Sequence, residues 1–251
     1  MSLVRQLSTG KRLVAAELRP PRAELAASEG MDAWIDTYHA VRRLTRRGTF
    51  VFLTDSAVGA EEEDNLRHLV ANLGPDAPRD RVVPFLTSKH PLEYCLAYAD
   101  RARQHGFPAL VVLGGDRHLG PPRSVEHAYQ LREAIRRRDA VLQLGGWANP
   151  YADPERQVAH LVDSRFTAEF YLTQIVTHHG KAPVERVLAD CQRRDVRLPG
   201  IFGGLLLPQR QPAHARNARP VPSGARPSAH PGVLLGRNPA AGLRQDAPCD
   251  G

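Results

Sequence analysis

Val111-Val112-Leu113-Gly114-Gly115-Asp116 ends an apolar run that begins at Ala109 with two glycines and a carboxylate. Residues 109–113 are unbroken by polar side chains and rich in β-branching, the pattern of a parallel strand covered on both faces. Gly114 and Gly115 remove side chains at the strand's end and let a ligand come close to the backbone. Asp116 then falls at the carboxyl end of the strand, the edge where parallel α/β folds carry their chemistry.

The same unit repeats on either side of this stretch. Apolar segments at residues 13–18, 49–54, 82–86, 140–144, 168–172 and 198–207 each stop at small or polar residues. Between them, helical periodicity appears at residues 34–46, 61–73, 91–105, 124–138, 153–162 and 184–194. In the first of these, Trp34, Ile35, Tyr38, Val41 and Leu44 share one face. Asp153-Pro154 reads as an N-cap followed by proline at the first helical position. Six or seven strand-helix units without a change of pattern predict an α/β fold, a (β/α)8 TIM-type barrel that is incomplete after the seventh strand.

Composition sets the outer limits. The chain has 251 residues, 42% hydrophobic and 24% charged, within the ordinary range for a globular protein. No apolar run approaches the roughly 20 residues of a membrane span, and the amino terminus lacks a signal-peptide pattern, so a cytoplasmic protein with no membrane partner is expected. Cys95, Cys191 and Cys249 form no C-x-x-C pair, which argues for free thiols and against a zinc site. Residues 208–251 carry six of the arginines, two aspartates and no lysine or glutamate, so much of the net charge of +7 sits there. The arginine clusters of the body lie at helix ends, where cations complement the dipole, and no specific nucleic-acid surface is indicated. The chain thus divides into a barrel domain, 1–207, and a low-complexity basic tail, 208–251, too poor in apolar residues to offset its ordering entropy and expected to be disordered.

Glu17 is the polar residue out of place in the first apolar segment. A carboxylate there is either paired with Arg19 or Arg22 at the barrel rim or kept for chemistry, and burial would hold its proton near neutral pH. His178-His179, the glycine-rich stretch from Gly114 to Gly120, and the strand-end serines Ser56 and Ser88 match no metal, P-loop or G-x-S-x-G pattern. Trp147 and Tyr151 are placed either to stack on a planar ligand or to cap the barrel end.

From Leu13 to Ile201 the chain resembles methylenetetrahydrofolate reductases. The likeness rests on Glu17 with Pro20-Pro21-Arg22, on Pro84-Phe85-Leu86-Thr87, on Gly115-Asp116, on Gly146-Trp147, on Thr173-Gln174 and on Pro199-Gly200-Ile201, in the family's order. The resemblance implies reduction of 5,10-methylenetetrahydrofolate to 5-methyltetrahydrofolate by hydride from FAD, itself reduced by NAD(P)H. It implies Glu17 as general acid, Asp116 beside flavin and pterin, and Gln174 and Thr87 on the reduced folate. Thr54, Gly115, Asp116 and Trp147 are implied along the flavin. Gly114 and Phe85 stand where the family carries arginine and histidine, and these departures fall on flavin contacts, which leaves a folate-binding protein or accessory subunit without flavin as the second reading. An open barrel also exposes two strand edges, and a homo-oligomer is one outcome of such edges.

Overall fold

In a computed structural model of the chain, the description covers residues 3–10, 13–21, 25, 27–56, 66, 70–71, 78–176 and 180–204. The expected boundary at 207/208 and the whole tail lie outside these residues, as do His178, His179 and Cys249. So does most of the helix expected at 61–73, of which Leu66, Val70 and Ala71 are helical.

The elements run α1 (Leu3–Leu7), β1 (Ala15–Leu18), α2 (Ala27–Arg46), β2 (Phe50–Leu53), β3 (Val82–Thr87), α3 (Leu92–Gln104), β4 (Ala109–Leu113), α4 (Ala128–Arg138), β5 (Gln143–Ala148), α5 (Pro154–Val162), β6 (Phe170–Thr173), α6 (Lys181–Arg193) and β7 (Gly200–Ile201). The seven strands form one sheet in sequence order. Every neighbouring pair is parallel. This is the TIM-type (β/α) barrel architecture.

Curvature follows from the packing. Phe50, Phe52, Val83, Phe85, Ala109, Val111, Phe170 and Leu172 form one buried cluster, joined by Ala15 and Ile201, so side chains from both ends of the sheet meet on its inner face. A flat sheet cannot bring β1, β4 and β7 together; a curled one can. Leu3 of α1, fully buried, packs into this cluster. On the outer face Val51, Leu53, Val82, Leu86, Leu110, Val112 and Leu144 pack against α2, α3 and α4 through Trp34, Val41, Tyr98, Leu131 and Ile135. Each such side chain contributes about 1.5–3 kcal/mol when fully buried. The two clusters account for the doubly covered strands that the apolar runs predicted.

Most element boundaries shift by one to three residues from expectation, and three of the differences have a clear local cause. Helix α2 starts at Ala27, several residues before Trp34. Its first turns carry Gly30 and the exposed Met31, and so lack the apolar stripe that marks a helix in sequence. Helix α4 starts at Ala128 because Ser124 is drawn to β3, its backbone N–H and Oγ both donating to the Ser88 carbonyl at 2.6 and 3.0 Å. Strand β5 extends through Gly145, Gly146 and Trp147, which the sequence reading set beyond its end. The glycines are strand residues covered by aromatic rings: a Cβ on Gly145 would lie 2.6 Å from Phe170, and one on Gly146 2.4 Å from Phe166.

Candidate functional site

The pleat alternates inward and outward side chains, and the register of the strands decides which predicted residues share a side. Ala15, Phe52, Val83, Phe85 and Leu172 point into the inner cluster. Glu17, two residues after Ala15 and in register with Phe52, therefore stands on the inner face near the top of β1. Thr54 follows Phe52 by two, and its N–H donates to the Leu18 carbonyl at 3.0 Å. Thr87 follows Phe85 by two and is buried. Glu17, Thr54 and Thr87 thus occupy the carboxyl ends of three adjacent strands.

Asp55 is the hub of this corner. Its Oδ2 accepts from the Thr87 N–H at 2.6 Å and from Thr87 Oγ1 at 2.9 Å, while Oδ1 accepts from the Ser56 N–H at 2.7 Å. His90 Nε2 lies 3.0 and 3.1 Å from the two oxygens. The His90 ring packs on Tyr94 with centroids 4.9 Å apart. The Asp55 side chain is only 8% exposed and that of His90 17%. Below them Cys95 donates weakly to the carbonyls of Thr87 and His90. Burial, with the Asp55 charge adding to it, pushes the Cys95 thiol up to about 12, so it is a packed thiol and not a nucleophile.

The sequence reading passed over Asp55 and His90. Thr54-Asp55-Ser56 and Thr87-Ser88-Lys89-His90 are strand ends of the same kind as Gly114-Gly115-Asp116, and the reasoning that singled out Asp116 applies to Asp55 as well. Only the pairing of β2 with β3 reveals that one carboxylate collects donors from both.

Around Asp116 the geometry is of another kind. One of its oxygens accepts from the N–H groups of His118 and Leu119 at 2.7 and 3.0 Å, the form of a side chain that closes its own turn. The backbone bond from His118 is the main reason its carboxyl sits below the usual range, so Asp116 stays ionised and is a poor proton donor. Gly115 has φ +75°, a left-handed conformation that glycine takes without strain. The space beside Gly114 is filled from within the chain: the Arg123 guanidinium carbon would lie 2.8 Å from a Cβ there, and Arg123 also donates to the Gly115 carbonyl. Lys89 spans this loop from the β3 side, its Nζ donating to the carbonyls of Leu119 and Pro121 at 2.6 and 2.7 Å.

Trp147 and Gln174 lie on the far side of β4. Trp147 is in register with Leu172 and half-buried, and Gln174, exposed, follows the end of β6 with its N–H on the Ala148 carbonyl at 3.2 Å. The predicted residues therefore form two groups, one on β1 to β3 and one on β5 and β6, with the Asp116 loop between them.

Glu17 carries the electrostatic signature of its position. Although exposed, its carboxyl is raised from the ordinary 4.5 by desolvation, because protein surrounds the β1 end. The raised Glu17 carboxyl at the end of β1 and the Asp55–His90 pair at the ends of β2 and β3 stand at the same edge of adjacent strands.

No family model matches the chain, and no curated protein matches it. Among solved structures it is similar to 2,3-dimethylmalate lyase, a PEP mutase/isocitrate lyase superfamily member, at 12% identity over 80% of this chain and 77% of that one, TM-score 0.48. It is similar to a racemase from Streptomyces coelicolor A3(2) with bound magnesium, at 11% identity over 82% and 54%, TM-score 0.43. A Bradyrhizobium enolase complexed with magnesium and mandelic acid matches at 12% identity over 77% and 52%, TM-score 0.44. The chain spans about half the length of the last two. At these identities the likeness reaches no further than barrel architecture.

These comparisons correct the expected membership of the methylenetetrahydrofolate reductase family: no family model supports it, and the structures that match are lyase, racemase and enolase barrels. Flavin-mediated reduction of methylenetetrahydrofolate, the folate-binding alternative, and FAD and NAD(P)H as cofactors are corrected with it, since each rested on that membership. The local geometry agrees, because Arg123 already fills the approach at Gly114 that a ligand was expected to use. Among the described residues no group of three or more His, Cys, Asp or Glu is placed to hold a metal ion, and both Asp55 oxygens already accept hydrogen bonds. No helix among them is long and apolar enough to cross a membrane.

Proposed function

We propose that the chain is an enzyme that moves protons on a small polar substrate at the carboxyl-terminal mouth of its barrel. The observation that carries this reading is the Asp55–His90 pair, a ring held by both oxygens of one carboxylate at 3.0 and 3.1 Å at the edge where such barrels keep their chemistry. Asp55 orients the imidazole, and His90 accepts a proton from the substrate and returns it. Glu17 supplies the complementary acid, since desolvation raises its hold on a proton. Thr54 is proposed to line the substrate, Thr87 to hold Asp55 in place behind it, and Trp147 and Gln174 to bound its far side. Asp116 serves by shaping its loop and takes no part in proton transfer.

Solvent-deuterium incorporation into pyruvate, malonate and mandelate, followed by proton NMR, tests the reading. Wild-type chain is expected to exchange the carbon-bound proton of at least one of these acids, with exchange lost in Glu17→Gln and in His90→Gln. Exchange that persists at wild-type rate in the doubly substituted chain contradicts it.

A further inference from the structure

His90 stands at the head of α3, and Asp55 accounts for only part of its placement. Both carboxylate oxygens approach the same ring atom, Nε2, at 3.1 and 3.0 Å. Contacts made at one atom fix a point and leave the plane of the imidazole to swing about it, whereas proton transfer needs the ring held in orientation as well. The backbone of His90 is held separately. Pro91 follows it and disfavours the helical conformation at residue 90. Cys95 closes the turn, its thiol on the His90 carbonyl and its N–H donating to the Pro91 carbonyl at 3.0 Å.

The plane itself is met by Tyr94, whose ring centroid lies 4.9 Å from that of His90 with the planes at 41°. Tyr94 is in turn fixed from along its own helix. Tyr94, Tyr98 and Arg101 recur at helical spacing on α3 and share one face. Tyr98, 5% exposed, stacks on Tyr94 with centroids 6.1 Å apart, and the Arg101 guanidinium carbon lies 5.6 Å from the Tyr94 centroid, within reach of a cation–π attraction. A stack carried by a helix and packed at its base therefore ends on the imidazole.

We propose that Tyr94 is the positioning residue of His90, its ring setting the plane of the imidazole while Asp55 sets the point about which that plane would turn. The proposal rests on the reading of His90 as the group that moves the substrate proton, and it assigns the task to the Tyr94 ring and not to its hydroxyl. On an acid that the wild type exchanges, Tyr94→Leu is expected to lower kcat for deuterium incorporation by about tenfold or more with KM little changed, and Tyr94→Phe to keep most of the wild-type rate. A second readout needs no turnover. The His90 Cε1–H signal, assigned by its loss in His90→Gln, should cross-relax with the ring protons of residue 94 in wild type and in Tyr94→Phe, and should move in Tyr94→Leu as the ring-current shift is lost. Absence of that cross-peak in the wild type overturns the proposal, as does a His90 signal left in place by Tyr94→Leu. Exchange at the wild-type rate in Tyr94→Leu, or an equal fall in Tyr94→Leu and Tyr94→Phe, overturns it too. If the wild type exchanges no acid, the reading of His90 as base fails, and the His90 signal still decides whether Tyr94 holds its ring.

Discussion

Asp55 and Thr87 are joined twice, the Thr87 N–H and Oγ1 both donating to Oδ2 of Asp55 at 2.6 and 2.9 Å, so a single carboxylate oxygen locks the end of β3 to the loop after β2. The two bonds differ in the cost of their loss. Asp55→Ala leaves the buried Thr87 N–H without a partner and is expected to lower stability by about 2–3 kcal/mol, whereas Thr87→Val removes one neutral donor and lowers it by about 1 kcal/mol. Urea midpoints at unchanged m-value measure both. Equal losses would contradict the placement of the backbone bond.

Glu17 gives the fold a pH dependence whose sign follows from its desolvation. The folded chain holds this proton more tightly than the unfolded one, so the contribution is present in full below 4.5 and is lost as pH rises through the folded value. Glu17→Gln removes that loss. The variant should melt at a higher temperature than wild type at pH 7 and at the same temperature at pH 4, a modest difference because the group is exposed. A variant less stable at pH 7 would show that Glu17 is paired.

Gly146 and Phe166 are fitted to each other, with the ring 2.4 Å from where a Cβ would stand. Gly146→Ala is expected to cost about 1–3 kcal/mol by overpacking. Phe166→Leu in the same chain should recover part of that loss, a coupling of about 0.5 kcal/mol or more. Additive losses in a denaturant cycle would mean that the ring does not bear on the strand.

Lys89 is 4% exposed, and its ammonium rests on the carbonyls of Leu119 and Pro121. Lys89→Met keeps most of the buried stem and removes the tie. Hydrogen exchange at residues 117–120 should rise by about tenfold or more while that of β4 changes little, because the loop opens locally. Lys89→Gln, which keeps an N–H donor, should restore part of the protection.

Strands β2, β3, β4 and β6 were legible because each carries a buried apolar run, and β4 matches its expected bounds of 109 to 113 residue for residue. Glycine was the misleading signal. Gly145 and Gly146 read as a strand end, and each instead lies within β5 and receives an aromatic ring, while the space read beside Gly114 is taken by Arg123. Short strand-end motifs misled in the same way, since Thr-Gln, Gly-Asp or Pro-Gly-Ile at the ends of successive parallel strands answers to a barrel's need for small, polar turns as well as to any one family. The Asp55–His90 pair stayed hidden because its members, 35 positions apart, meet only when β2 and β3 pair.

The rate of solvent-deuterium incorporation in His90→Gln, set against wild type on an acid that the wild type exchanges, bears most directly on the central claim. Loss of a general base predicts a fall of about 10²–10⁴-fold with the melting temperature little changed. A rate within about threefold of wild type would contradict the assignment of proton transfer to His90.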